Sequence, residues 1–262
     1  MEQLNPKASM PTLFITGAGR RLGLHLVECY LSKGWRVIAH YNSKNELPAE
    51  LQARYAANGQ YVAIPADLSS LTEVKSLIEE VIGFLKQHGG ELDAVIHNAS
   101  CFWPDSDELS IDQQWQQQEK QQAVHMTAPQ TLTWALVKFI KKSGCILAIT
   151  DIYVELPNSR FASYCSAKAG LQSLALSWAQ LFAPDVRVNI IQPGPVKFLP
   201  EHNEQYREKV LSQSLLGKEL GYDAIQQGID YLINATALTG SILKVDGGRS
   251  CVNYYEQQIN NH

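Results

Sequence analysis

The stretch Thr16-Gly17-Ala18-Gly19-Arg20-Arg21-Leu22-Gly23 decides how this chain is read. It joins a short apolar run, Leu13–Thr16, to a helical stretch that puts Leu24, Val27 and Leu31 on one face. Glycines permit a tight turn and let the backbone approach a pyrophosphate. The helix that follows offers free N–H groups and the positive end of its dipole. A glycine-rich turn alone is a weak signal. One that follows the first strand and opens a helix sits in the context that dinucleotide binding requires. Gly17, Arg20, Arg21, Leu22 and Gly23 are therefore the first predicted cofactor contacts.

Downstream the pattern repeats. Trp35–Ala39, Tyr61–Ile64, Asp93–His97, Ile146–Thr150, Val186–Ile191 and Ser241–Val245 read as strands. Helical patterns lie at about Glu46–Ala57, Leu71–Gln87, Asp112–Gln122, Ala123–Lys141, Ala162–Phe182, Glu201–Ser214 and Asp223–Asn234. Gly34 and Gly89-Gly90 stop two of them. Near-continuous apolar strands that alternate with helices predict a parallel sheet covered on both faces. No linker and no internal repeat interrupts the order. Residues 1–262 are expected to form a single Rossmann-like, doubly wound α/β domain with a parallel sheet of about seven strands.

Composition excludes several other classes. Hydrophobic residues make up 45% of the chain and charged residues 18%, a soluble globular balance. A net charge of -4 and the lack of a Lys/Arg run argue against a nucleic-acid partner. The first ten residues have no apolar core of a secretory signal, and no stretch approaches the ~20 apolar residues of a membrane helix. The five cysteines are scattered without a CxxC, and the seven histidines show no ligand spacing. No metal site is expected, and the thiols read as reduced ones in a cytoplasmic protein.

An enzyme that uses NAD usually carries Asp or Glu after the second strand to hold the ribose hydroxyls. Here that place reads His40-Tyr41-Asn42-Ser43, with no acid, while Arg20 and Arg21 lie in the glycine turn. A guanidinium fork suits a 2′-phosphate, so NADPH is the expected cofactor, with Tyr41, Asn42 and Ser43 beside it. Further along, Tyr164-Cys165-Ser166-Ala167-Lys168 places Tyr164 and Lys168 one helical turn apart on a shared face. A nearby ammonium favours tyrosinate, so Lys168 is expected to lower the pKa of Tyr164 and make it a usable proton donor.

Together these features resemble the short-chain dehydrogenase/reductase family. The glycine turn, Asp67-Leu68 after the third strand, Asn98-Ala99 after the fourth, Tyr164 with Lys168, and Pro193-Gly194 after the sixth fall in that family's order, from about Thr12 to Arg249. The resemblance implies that Asp67 and Leu68 contact the adenine end. It implies that Asn98, Ala99, Ser100, Pro193 and Gly194 line the cofactor, and that Lys168 also binds the nicotinamide ribose. It further implies a homotetramer, with the tail carrying Cys251, Tyr254 and Tyr255 packed on a neighbouring subunit.

Three positions depart from the general pattern: Arg21 stands where a Gly is usual, Asp151 where the usual Ser precedes the tyrosine, and His125 where a catalytic Asn is usual. The first two resemble the pteridine reductases, including the bacterial dihydromonapterin reductases. So does Asn98-Ala99-Ser100-Cys101-Phe102. Two further stretches, Leu199 to Arg207 and Asp246-Gly247-Gly248-Arg249, are similar to the dihydromonapterin reductases in particular. The resemblance implies reduction of a dihydropterin, such as 7,8-dihydromonapterin, dihydrobiopterin or dihydrofolate. Tyr164, Lys168 and Asp151 would be catalytic, and Ser100, Phe102, Asp151 and Tyr164 would meet the substrate. Phe102 is the expected stacking partner of a flat heterocycle. The segment at about 195–215 is expected to form a substrate lid. Two alternatives stand beside this reading: a ketoreductase for a carbonyl such as a 3-oxoacyl thioester, and a non-catalytic NADPH-binding sensor. A carboxylate at 151 would repel a developing oxyanion, which counts against the first.

Overall fold

The computed structural model describes residues 10–43, 46–156 and 158–252. Seven parallel strands form one sheet: β1 (Thr12–Ile15), β2 (Arg36–Tyr41), β3 (Tyr61–Pro65), β4 (Leu92–His97), β5 (Ile140–Ile149), β6 (Val186–Pro193) and β7 (Ile242–Val245). Their spatial order is β3-β2-β1-β4-β5-β6-β7, so the winding reverses between β1 and β4. This is the expected doubly wound, single-domain fold. Loops at the carboxyl ends diverge at such a reversal and leave a crevice where ligands bind.

Side-chain alternation along each strand divides the core in two. Phe14, Ile38, Val95, Ile146 and Val188 point to one face. There they meet α3 (Leu71–Gln87), α5 (Ala128–Leu136) and α6 (Ala162–Phe182) through Leu77, Val81, Leu132, Leu171 and Trp178. Leu13, Ile15, Val37, Ile96 and Leu147 point to the other face. They pack against α1 (Arg21–Ser32) and α8 (Gly221–Asn234) through Leu26, Val27, Tyr30, Ile225 and Ile229.

Three boundaries differ from the sequence expectation. The helix expected at Glu46–Ala57 shrinks to α2 (Ala49–Leu51) and a π turn at Gln52–Ala56. Pro48 sits in extended backbone and delays the start. The helices expected at Asp112–Gln122 and Ala123–Lys141 form one run, from α4 (Ile111–Gln122) through a π turn at Ala123–Thr127 into α5. Pro129 lacks the N–H that a regular helix would send to the carbonyl of His125, and its ring crowds that carbonyl. The widened turn relieves both. That run ends at Leu136, and Ile140, buried and paired with Leu92, already belongs to β5. The third is Glu201–Ser214, where α7 covers Glu204–Leu211, started by Asn203 as its cap.

No helix among the described residues is long and apolar enough to cross a membrane. Tyr254 and Tyr255, expected to meet a neighbouring subunit, lie outside the described residues.

Candidate active site

The carboxyl ends of β1 to β4 open onto a cleft of about 760 Å³. The glycine turn lines it with Gly17, Arg20, Arg21, Leu22 and Gly23; β2 contributes Tyr41, Asn42 and Ser43. Asp67 and Leu68 follow β3, and Asn98, Ala99, Ser100 and Phe102 follow β4. The structure thus gathers most of the predicted cofactor contacts around one crevice.

Side-chain size explains the glycines. Gly17 has φ +68, and a Cβ there would stand 2.6 Å from the Cα of Ala99. A Cβ on Gly23 would stand 2.1 Å from the carbonyl oxygen of Gly17. Neither contact is possible, so the turn closes tightly only with glycine at both places. Asn98 locks it from below, donating from Nδ2 to the carbonyls of Thr16 (3.1 Å) and Gly17 (3.0 Å). The Thr16 hydroxyl accepts from the backbone N–H groups of Asn98 and Ala99, both at 3.1 Å.

His40 adds a support that the sequence reading passed over. It is buried at the end of β2, and its Nδ1 accepts from the N–H of Gly17 at 3.2 Å. Its Nε2–H donates to the carbonyl of Ala66 at 2.9 Å. Burial pushes its pKa down to about 4, so it is neutral at physiological pH and can play both parts at once. The run Val-Ile-Ala-His-Tyr places it inside a buried strand, which was the available signal.

The two arginines part company. Arg21 occupies φ +53, which costs a residue with a side chain roughly 1 kcal/mol. Its guanidinium donates to the Tyr222 hydroxyl and to the Lys197 carbonyl, each at 3.4 Å. It therefore ties the glycine turn to the segment after β6. Arg20 is exposed at the rim, and its side chain makes no hydrogen bond or ion pair among the described residues.

Behind Ser100 and Phe102 lies a buried polar cluster. Tyr164 and Lys168 sit on the first turns of α6, and Asp151 follows β5. The Tyr164 hydroxyl donates to Oδ2 of Asp151 at 2.9 Å, while Oδ1 accepts from the N–H of Tyr153 at 2.9 Å. Lys168 donates from Nζ to the carbonyl of Ile149 at 2.8 Å, with Nζ 5.8 Å from the Tyr164 ring centroid. Burial raises the Asp151 carboxyl above its ordinary range, against the pull of the Tyr153 and Tyr164 hydrogen bonds and the charge of Lys168. Burial pushes Lys168 down to about 8.

The net direction at Tyr164 differs from the lowered pKa expected from Lys168. Burial first, and then the charge and hydrogen bond of Asp151, hold Tyr164 well above its ordinary value. A shared helix face brings the two residues together, but the polar end of each finds its partner on β5 or in the loop after it. Tyr164 is therefore kept as a protonated hydroxyl, which is the form that gives a proton away.

His125 is fully buried in the π turn. Its Nδ1–H donates to the carbonyl of Gln121 at 2.9 Å, which leaves Nε2 to accept from the Ser100 hydroxyl at 3.0 Å and the Cys101 N–H at 3.4 Å. Burial holds its pKa well below 6.5. It pins the loop that carries Phe102. That ring is half exposed, lies parallel to Phe161 at 4.2 Å and meets Tyr164 edge-on at 4.7 Å. Phe161, three residues before Tyr164 on the same helix approach, was legible only as part of that spacing.

Pro193 and Gly194 do not line the cleft. Pro193 closes β6 beside Val245, and a Cβ on Gly194 would stand 2.8 Å from the Cα of Asp246, so the pair seats the end of β7. From the expected lid, Leu199 and Glu201 reach the cleft wall. Among the described residues no group of His, Cys, Asp and Glu is placed to hold a metal ion.

Residues 17–250 match the family described as enoyl-(acyl carrier protein) reductase. A dihydromonapterin reductase of Klebsiella pneumoniae is 33% identical over 241 residues, covering 90% of this chain and 95% of that protein. Among solved structures, FolM alternative dihydrofolate reductase 1 from Brucella canis, complexed with NADP, superposes with a TM-score of 0.80. It is 25% identical and covers 93% of this chain and 95% of its own. The angucycline C-6 ketoreductase LanV with bound NADP superposes at 0.82 and covers 92% of this chain and 96% of its own; at 22% identity it shares the fold.

Proposed function

The chain belongs to the short-chain dehydrogenase/reductase family of oxidoreductases, and from that premise we propose that it reduces a dihydropterin, 7,8-dihydromonapterin or a related pterin or dihydrofolate, with NADPH. The observation that carries this reading is the buried Asp151–Tyr164 hydrogen bond of 2.9 Å with an aromatic ring, Phe102, edge-on to the tyrosine. A ketone reductase needs a neutral donor for the carbonyl oxygen at position 151, and a carboxylate there works against it. The names of the relatives point the same way.

The glycine turn fits a dinucleotide because its two closest backbone approaches leave no room for a Cβ. Gly17 to Gly23 would hold the pyrophosphate, Asp67 and Leu68 the adenine end, and Asn98 to Ser100 the inner half. Lys168 would hold the ribose. NADPH supplies a hydride, two electrons with one hydrogen, to the carbon of the C=N bond. Tyr164 gives its proton to the nitrogen and is left as tyrosinate, after Asp151 has oriented its hydroxyl by accepting from it. The Lys168 cation offsets the negative charge that remains on the pair. Phe102 offers its ring as the stacking surface, and the 195–215 segment covers the site as a lid. A homotetramer, implied by the resemblance, belongs to the same proposal.

The test is NADPH consumption by the purified protein with 7,8-dihydromonapterin, dihydrobiopterin, dihydrofolate and a 3-oxoacyl thioester in parallel. Turnover is expected on a dihydropterin. Turnover on the thioester alone would replace this reading with a carbonyl reductase.

Cofactor choice has its own expected result. Arg20 is the arginine of the turn left uncommitted, and there is no carboxylate at the end of β2 to repel a 2′-phosphate. Arg20→Ala is expected to raise KM for NADPH by about 10- to 100-fold, the worth of one charge-assisted phosphate contact, and to leave KM for NADH nearly unchanged. Equal effects on both cofactors would show that Arg20 does not read the phosphate.

A further inference from the structure

The long helix α6 begins on a residue that helix starts disfavour. Phe161 stands at its N-cap, where Ser, Thr, Asp or Asn would accept from the first free N–H groups, and its side chain makes no such bond. The acceptor comes instead from the loop after β4. Oδ2 of Asp105 accepts from the N–H of Ser163 at 3.1 Å. The N–H of Asp105 in turn donates to the carbonyl of Arg160 at 2.8 Å. Asp105 thus laces the helix start to the loop that carries Phe102, and it does so on both sides of Phe161. A residue that breaks a local rule, while a distant partner makes up the loss, points to a use for its side chain.

That side chain meets Phe102. The two rings lie 14° from parallel with their centroids 4.2 Å apart. Phe102 is half exposed and lines the cleft, whereas Phe161 does not line it. One face of Phe102 is therefore covered from behind, and Tyr164 meets the same ring edge-on at 4.7 Å. The backbone before the ring is fixed as well, because His125 accepts from the Ser100 hydroxyl and the Cys101 N–H. An exposed ring on a loop would otherwise sample several rotamers, and ordering it when a ligand arrives would cost affinity.

We infer that Phe161 is a positioning residue for the substrate: stacked behind Phe102, it holds that ring ready for a flat heterocycle to lie on its open face. This rests on the dihydropterin reading. Phe161 acts through Phe102 and touches neither substrate nor cofactor. Phe161, Phe102 and the heterocycle form a three-layer stack whose two protein layers are in place beforehand. Such preorganisation lowers KM and leaves the proton transfer at Tyr164 largely as it is.

The experiment compares the wild type with Phe161→Ser, Phe161→Tyr, Phe102→Leu and the double variant Phe161→Ser/Phe102→Leu, each checked for Tm. The readouts are kcat and KM for 7,8-dihydromonapterin and the Kd of NADPH. Phe161→Ser removes the ring and supplies a preferred cap, so the helix start is kept. Phe161→Leu, which keeps bulk without the ring, answers the same question should that variant lose stability. Phe161→Ser is expected to raise KM by about 3- to 10-fold, the worth of one aromatic pair, and to change kcat and NADPH affinity by less than about twofold. Phe161→Tyr keeps the ring and is expected to recover most of the loss. Phe102→Leu is expected to raise KM at least as much as Phe161→Ser does. On that background Phe161→Ser should add less than about twofold, because a residue that acts through Phe102 has nothing left to act on. A merely structural role would move kcat and NADPH affinity too, and would add its full effect on either background. An unchanged KM in Phe161→Ser, or an equal rise with and without the Phe102 ring, overturns the assignment of Phe161 and leaves the dihydropterin reading intact. A wild type that turns over no dihydropterin overturns both.

Discussion

Replacing Tyr164 with Phe is expected to lower kcat for dihydropterin reduction by roughly three orders of magnitude, the upper part of what one positioned general acid supplies. That corresponds to about 4 kcal/mol of barrier. KM for NADPH and for the dihydropterin should move by less than about threefold, because the ring that Phe102 and His125 pack against is still there. The loss is chemical, and the reason lies in the protonation state. Burial and the neighbouring carboxylate hold the Tyr164 proton in place, so the hydroxyl enters the reaction carrying the proton it must deliver. The variant also removes one of the hydrogen bonds to Asp151 and leaves a buried carboxylate less satisfied, a loss of about 1–2 kcal/mol in unfolding free energy. Steady-state kinetics and a denaturant titration read the two effects separately. A variant that keeps more than a tenth of the wild-type kcat would mean that the proton comes from elsewhere.

How far these residues could be read from the sequence depends on whether their partners are local. The glycine turn is legible because its requirement is local: two backbone approaches that exclude a Cβ, next to a strand and a helix. The Tyr164–Lys168 spacing is legible for the same reason. What each polar end touches is set across the sheet, by Asp151 and Ile149 of another element, and so the direction of the tyrosine's pKa escaped the reading. Helical periodicity ran Ala123–Lys141 together because Ile140 is as apolar as a helix position would be. Its pairing with Leu92 is a long-range fact. Arg249 was visible as part of Asp246-Gly247-Gly248-Arg249, yet nothing in those four residues says that the side chain is buried and donates to Gln213, a partner set by the packing of another element. His40 was quoted for the acid it replaces, and its own work, holding Gly17, depends on the register of β2 against β3.

Asp151 carries the second large expectation, because the proposed choice of a dihydropterin over a ketone rests on it. Asp151→Ser is expected to cut dihydropterin turnover by about 100-fold or more while leaving NADPH affinity near its wild-type value. A serine hydroxyl offers one oxygen where two carboxylate oxygens now accept from Tyr153 and Tyr164, and it carries no charge. Asp151→Asn separates charge from shape. Its amide has one oxygen, which can accept from the Tyr153 N–H or from the Tyr164 hydroxyl but does not match the two carboxylate oxygens that now serve them. Turnover should fall with this variant too. Stability should move the other way. Burial raises the Asp151 pKa, so the folded protein holds a proton that the unfolded chain releases at lower pH. The folded state then loses stability as pH rises from about 4, the ordinary carboxyl value, through the raised one. Asn has no such proton. Asp151→Asn is expected to flatten the stability profile above about pH 4 and to gain on the wild type toward pH 7. Unfolding curves across that range, read beside kcat, decide the matter. A variant with wild-type turnover removes Asp151 from the chemistry, and a wild type whose stability climbs steadily with pH through that window would mean that burial does not raise the Asp151 carboxyl.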